Sequence, residues 1–280
     1  MRKGVIKMSI IDFRVRPIYK HYESFKKEDI NRFLKAFGYE ESESLKQRNV
    51  ESLIKELDEA GIVKSVVPGR GVYGPDINKT LLELEALYPD KFIIFPFLDV
   101  TNPEQALKDI DKYIINEGRK GASIEPYLGN DLKFDDESIF PIYKKLEENN
   151  IPVMATVSGW VGKIIDNTIP AQVSRVLKAF PNLKFIAAHG GWPWFNEMVA
   201  ITFKFPNLYL TADFEGTRGA GADMLRHGAL YMASNQIIYA SSYPYAPIAQ
   251  SVQSVKDWNL TAEIERKVLY DNAAEILGIK

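Results

Sequence analysis

The sequence contains no cysteine, which excludes disulfides, thiolate metal sites and a cysteine nucleophile. Histidine is nearly as scarce. His21, His189 and His227 are the only three among 280 residues, so a centre built from several imidazoles is close to excluded. No run approaches the ~18 consecutive apolar residues that span a bilayer. The opening stretch Met1–Lys7 is too short and too basic for a signal peptide, with Met8 an alternative start, so the expectation is a cytoplasmic protein. A surplus of charge is also missing. Thirty-five Lys+Arg face 37 Asp+Glu for a net charge of -2, which argues against a nucleic-acid or membrane partner. P-loop, zinc-protease and Ser-His-Asp elbow motifs are absent as well.

What is present is a repeat of short apolar runs and longer amphipathic stretches. The runs predict strands at 8–15, 62–68, 92–98, 121–125, 152–157, 183–189, 208–213 and 237–241. Helices are expected near 51–60, 77–88, 104–116, 138–149, 171–180, 195–203, 222–233 and 248–258. Leu53, Ile54, Leu57 and Ala60, for instance, follow the 3.6-residue period. Eight strand–helix units at roughly 35 residues each predict an α/β fold, a (β/α)8 TIM barrel. The strands read as nearly continuous apolar runs, as strands covered on both faces should. A doubly wound open sheet would need a glycine-rich turn after the first strand, and Phe13-Arg14-Val15-Arg16-Pro17 stands there instead. One domain over 1–280 is the economical organisation. The charged, aromatic segment 19–48 falls outside the repeat and is expected to form a lid or a homodimer contact. A closing helix is expected at 261–277, capped by Thr261 and stopped by Gly278.

Chemistry in such a barrel gathers where the strands end. Those positions carry Asp12, Arg14 and Arg16, then Arg70, Glu125, Thr156 with Ser158 and Trp160, His189 with Trp192 and Trp194, Asp213 with Glu215, and Ser242 with Tyr243. Asp12, Arg14 and Arg16 alternate along one strand and share a face. That face is the barrel interior if Phe13 and Val15 pack outward. Either Asp12 pairs with an arginine structurally, or Arg14, Arg16 and Arg70 clamp a carboxylate or phosphate. His189 ends a strand at a Gly-Gly turn and Asp213 ends the adjacent one, so Asp213 can orient His189 as a base. Glu125 is a candidate acid or an arginine partner. Glu125, His189 and Asp213 could together hold one divalent metal ion, zinc or manganese, and a metal-free site stands on equal footing. Trp160, Trp192, Trp194, Tyr243 and Tyr245 are candidate apolar walls for a substrate. His21 and His227 are expected at the surface.

Ile10-Ile-Asp12-Phe-Arg14-Val-Arg16-Pro17, His189-Gly-Gly-Trp192, Tyr239-Ala-Ser-Ser242-Tyr-Pro244 and Asp271-Asn272-Ala-Ala-Glu-Ile-Leu277 carry a further signal. In this order they resemble the amidohydrolase-related barrels, the branch with aminocarboxymuconate-semialdehyde decarboxylase and related metal-dependent hydrolases and lactonases. The resemblance implies a hydrolase or decarboxylase acting on a small carboxylated molecule. It also implies metal ligands that this chain has changed. Arg14 and Arg16 stand where the family has two histidines, Thr156 where it has another, and Ser242 where it has an aspartate. Only His189 survives of that set. A non-catalytic carboxylate-binding barrel is the alternative reading.

Overall fold

A computed structural model describes residues 8–128, 131–161 and 164–279. The Met1–Lys7 start and the side chain of His21 lie outside the described residues. Eight parallel strands form: β1 (Ile10–Asp12), β2 (Ile62–Pro68), β3 (Phe92–Phe95), β4 (Ala122–Ile124), β5 (Val153–Thr156), β6 (Phe185–Ala188), β7 (Leu208–Ala212) and β8 (Ile237–Tyr239). They pair in sequence order as β1-β2-β3 and β4-β5-β6-β7-β8. Residues just past the strand ends close the circle. Val15 bridges to Tyr243 and Phe97 to Ser123, and Phe13 N–H donates to the Tyr239 carbonyl at 3.0 Å. The fold is a (β/α)8 barrel.

The helices are α1 (Lys27–Ala36), α2 (Glu43–Gln47), α3 (Val50–Ala60), α4 (Ile77–Leu87), α5 (Pro103–Asp109), α6 (Phe140–Glu148), α7 (Pro170–Ala179), α8 (Phe195–Thr202), α9 (Phe214–Arg218), α10 (Ala222–Leu230), α11 (Ile248–Lys256), α12 (Ala262–Arg266) and α13 (Asn272–Leu277). Their starts follow the side chains available. Asn49, Asn102 and Thr261 accept the first free N–H groups of α3, α5 and α12, and Pro103 and Pro170 occupy first-turn positions. Two stretches expected as single helices differ. Beyond α5 the chain widens into a π turn at Ile110–Ile115, and the closing helix is split by another at Lys267–Asp271. Gly278 then ends α13 in the left-handed region, φ 60°. Among the described residues no helix is long and apolar enough to cross a membrane.

Buried side chains sort into two clusters. Ile11, Phe13, Val66, Phe95, Met154, Ile186 and Ile238 fill the barrel, and Ala273, Ile276 and Leu277 of α13 belong to the same cluster. Leu53, Leu57, Leu81, Val176 and their neighbours pack the helices onto the outside. Each such side chain contributes ~1.5–3 kcal/mol on burial. Phe13 therefore points inward, contrary to the expected alternation, while Val15 packs in the outer cluster. The register of β1 shifts between Ile10 and Ile11, and the strand ends at Asp12, so strict alternation no longer governs Arg14 and Arg16.

Candidate active site

Arg14 and Arg16 follow β1 and are each 1% exposed. Asp12 Oδ1 accepts the Arg14 N–H at 3.1 Å and the Ser241 N–H at 2.9 Å, while the Arg16 N–H donates to the Tyr243 carbonyl at 3.0 Å. Asp12 thus serves backbone groups, and the expected pairing of Asp12 with an arginine side chain is not formed. Arg14 Nη1 instead donates to Asp213 Oδ2 and to Ser242 Oγ, both at 2.7 Å. Arg16 Nη2 donates to Ser242 Oγ at 2.8 Å and to the Ser242 carbonyl at 3.2 Å. Its Nε has no partner, and among the described residues no carboxylate pairs with it. Tyr245 and Phe25 face the guanidinium at 5.2 and 5.8 Å. Burial first, then Arg14 and Arg70, bring Arg16 down to about 10, so it remains charged at neutral pH.

Two strand ends on the far side of this pair hold left-handed backbone at residues other than glycine: His189 at φ 63° and Ser242 at φ 60°. Such conformations cost ~1–3 kcal/mol each and persist only where the surroundings impose them. After His189 the chain turns through Gly190 and Gly191. A Cβ on Gly191 would lie 2.4 Å from Met198 Cγ at φ 79°, so only glycine fits. The turn is tied to β7 through Thr211, whose Oγ1 accepts the His189 N–H at 3.1 Å and donates to Asp213 Oδ1 at 2.7 Å.

His189 Nδ1 lies 3.1 Å from Asp213 Oδ2 and 2.8 Å from Glu215 Oε1. Neither approach is aligned as a hydrogen bond, and both Glu215 oxygens are buried without partners. Among the described residues, His189, Asp213 and Glu215 form the one group of three whose donor atoms all fall within 4.8 Å of one another. One imidazole and two carboxylates suit a zinc, manganese or iron(II) ion, and the unaligned, unpartnered atoms fit such a ligand set. Burial, followed by Arg14, Arg16 and Arg70, holds His189 well below its usual range, leaving the imidazole neutral. Burial raises Asp213 against the pull of Arg14, and burial with the nearby Asp213 raises Glu215 well above the usual carboxylate range.

Glu125 is not part of this group. Its Oε1 accepts from Arg70 Nε at 2.6 Å and from Thr156 Oγ1 at 3.0 Å. The structure does not bring Glu125 together with His189 and Asp213; Glu215 stands beside those two instead. Glu125 is paired with Arg70, and its Oε2 is buried without a partner. Burial opposes the Arg70 charge, but Glu125 outweighs it and raises the guanidinium above its ordinary range.

A cavity of about 230 Å³ opens over these groups, lined by Arg14, Arg16, Arg70 and His189. That volume lies just below the usual range of small-molecule pockets, ~300–1,000 Å³. Its walls are aromatic: Phe33, Trp160, Phe214 and Tyr245, with Val161 beside them. Phe33 comes from α1, within the segment expected as a lid, and sits 4.6 Å from Tyr245, 5.4 Å from Phe214 and 5.5 Å from Trp160. Asp29 and Arg32 of the same helix reach the cavity too. Three expected walls are corrected. Tyr243 is fully buried outside the cavity, and neither Trp192 nor Trp194 lines it; Trp192 stacks on Trp160 at 4.4 Å instead. His227 is exposed on α10, as expected.

Glu215 stands two residues after Asp213 in the sequence but had no assigned role. Its reach to His189 depends on the tight turn into α9, where Gly216 and Thr217 N–H donate to the Asp213 carbonyl at 2.9 and 3.0 Å. The Asp-x-Glu spacing at a strand end was its only signal. Asp29, Arg32 and Phe33 fall in the segment 19–48 expected as a lid or homodimer contact, which singled out no individual residue.

The amidohydrolase family profile matches residues 55–279. Among solved structures, an uncharacterized TIM-barrel protein from Bordetella bronchiseptica is similar at 28% identity and TM-score 0.89, covering 97% of this chain and 99% of that one. The 5-carboxyvanillate decarboxylase from Sphingomonas paucimobilis superposes at TM-score 0.68 with 17% identity, over 98% and 99% of the two chains. A dihydroxybenzoic acid decarboxylase from Polaromonas, with bound manganese and the inhibitor 2-nitroresorcinol, does so at 0.68 with 15% identity, over 97% of each. At those identities the two decarboxylases attest the shared barrel, while the profile, spanning most of the strands and the cavity's far wall, attests descent. The chain belongs to the amidohydrolase family.

Proposed function

We propose that the protein is a hydrolase acting on a small, planar carboxylate with a lactone or ester-like bond. The observation that supports this most is Arg16, a buried guanidinium that opens on an aromatic cavity with no carboxylate of its own. An uncompensated buried charge costs several kcal/mol, and an anionic ligand relieves that cost. The ligand carboxylate lies against Arg16 and the donors of Arg70 that Glu125 leaves free. Its planar body packs between Phe33, Trp160, Phe214 and Tyr245.

His189 is the base of this reading. Its Nδ1 edge faces Asp213 and Glu215, which favour the tautomer protonated there and leave the Nε2 lone pair for water. Water gives a proton to Nε2 as its oxygen joins the carbonyl carbon. When the carbon–oxygen bond breaks, the same proton passes to the leaving oxygen. The guanidinium groups offset the negative charge that develops on the carbonyl oxygen. A divalent ion such as zinc or manganese would be held by His189, Asp213 and Glu215 and would supply Lewis acidity to that oxygen; with the ion bound, His189 would be its ligand instead of the base.

Decarboxylation is the second reading, favoured by the similar barrels of the Sphingomonas and Polaromonas decarboxylases. Turnover screens with lactone acids and arenecarboxylates separate the two: 18O uptake from water into product marks hydrolysis, and released CO2 marks the lyase. His189→Ala should abolish turnover while leaving calorimetric binding within a few-fold, and Arg16→Gln should weaken binding by roughly 10–100-fold. Unchanged turnover in His189→Ala would overturn the assignment of the base. Binding without any product change would favour the non-catalytic carboxylate binder.

A further inference from the structure

The cluster of His189, Asp213 and Glu215 is not alone in its recess. Arg14 Nη1 rests 2.7 Å from Asp213 Oδ2, the same oxygen that lies 3.1 Å from His189 Nδ1. A cation bound by the three donors would therefore share a ligand atom with a fixed positive charge. Both partners are buried, at 1% and 0% exposure, so water screens the repulsion poorly. Ser242 Oγ holds the same Nη1 at 2.7 Å from the other side, so the guanidinium is not free to swing away. Arg16 shares Ser242 Oγ at 2.8 Å and adds a second positive charge behind the first.

We propose that Arg14 is a resident internal cation that competes with a divalent metal ion for Asp213, and so sets how tightly the site takes a metal. This rests on the reading of His189, Asp213 and Glu215 as the donor set. With Arg14 seated, Asp213 is already neutralised by the chain itself, and the site takes a divalent ion weakly. With the guanidinium charge removed, two buried carboxylates and a neutral imidazole are left without a cation, and an added ion supplies it. Anions of the substrate class act in the opposite direction. By adding negative charge beside the guanidinium groups, a bound carboxylate favours metal uptake.

The test uses Mn2+ and Zn2+ alone as probes, with no substrate. Isothermal titration and thermal melting compare the parent protein with Arg14→Gln, which keeps a hydrogen-bond donor toward Asp213 but no charge. Arg14→Met serves as a second neutral variant, and Arg14→Lys retains the charge. Both neutral variants should bind metal at least about tenfold more tightly than the parent and gain Tm on metal addition, while Arg14→Lys stays close to the parent. Adding Glu215→Gln to Arg14→Gln should remove the gain, which places the ion in the cluster. If a neutral variant is unfolded without metal, its folding on Mn2+ addition reports the same competition, and failure to fold with metal overturns it. Equal or weaker binding in the neutral variants, with the parent binding metal, overturns the competition and spares the donor set. No binding in any of the proteins overturns both.

Discussion

Asp12 is fully buried, its Oδ1 occupied by two backbone N–H groups and its Oδ2 without a partner. Burial raises its carboxyl to about 7, against 3.8 in an open chain. Between those values the folded state holds a proton that the unfolded state has released. The stability from that proton is complete below about pH 4 and is lost as pH rises through about 7, by up to ~4 kcal/mol. Asp12→Asn keeps an acceptor for both N–H groups and does not titrate. Denaturant melts from pH 4 to 8 should therefore show the variant gaining on the parent as pH rises. A constant difference across that range would show that Asp12 is ionised throughout. Arg16 is the mirror case, a buried cation with hydroxyl and carbonyl partners only. Its retention in the cavity is the residue-level argument for an anionic ligand.

At the scale of elements, the segment between β1 and β2 is joined to the barrel by specific contacts. Arg218 of α9 donates to the Gly38 carbonyl at 2.6 Å and lies 4.4 Å from the Tyr39 ring, while Phe37 packs on Phe214 at 4.7 Å. The helix that places Phe33 over the cavity is thus seated on the helix that carries Glu215. Phe33→Ala should open the cavity, cost about 1–2 kcal/mol of stability and weaken arenecarboxylate binding by roughly tenfold. Calorimetry with the variant checks this, and unchanged affinity would mean that α1 takes no part in binding. The eight strands were legible in the sequence because burial on both faces leaves continuous Ile, Val and Phe runs. Their ends were not. Residues 13–15 and 96–98, expected as strand, lie past the ends of β1 and β3 and close the barrel through isolated bridges. Glu215 and Arg32 escaped for a related reason: their reach is set by how α9 and α1 pack, which no local pattern encodes.

Across the whole molecule, the eight strand ends bring opposite charges to one mouth: Arg14 onto Asp213, Arg70 onto Glu125, and His189 against Asp213 and Glu215. Arg16 is left over in this pairing, beside an aromatic cavity. Arg14 and Arg16 follow β1, and Ser242 anchors both of them through one hydroxyl. Arg14, Arg16 and Ser242 all lie beyond the last residues of β1 and β8. The most direct test is a crystal structure of the protein with a bound arenecarboxylate such as benzoate. The carboxylate should lie within hydrogen-bonding distance of Arg16, with the ring between Phe33 and Tyr245. A ligand bound elsewhere, or a carboxylate turned away from Arg16, would contradict the account.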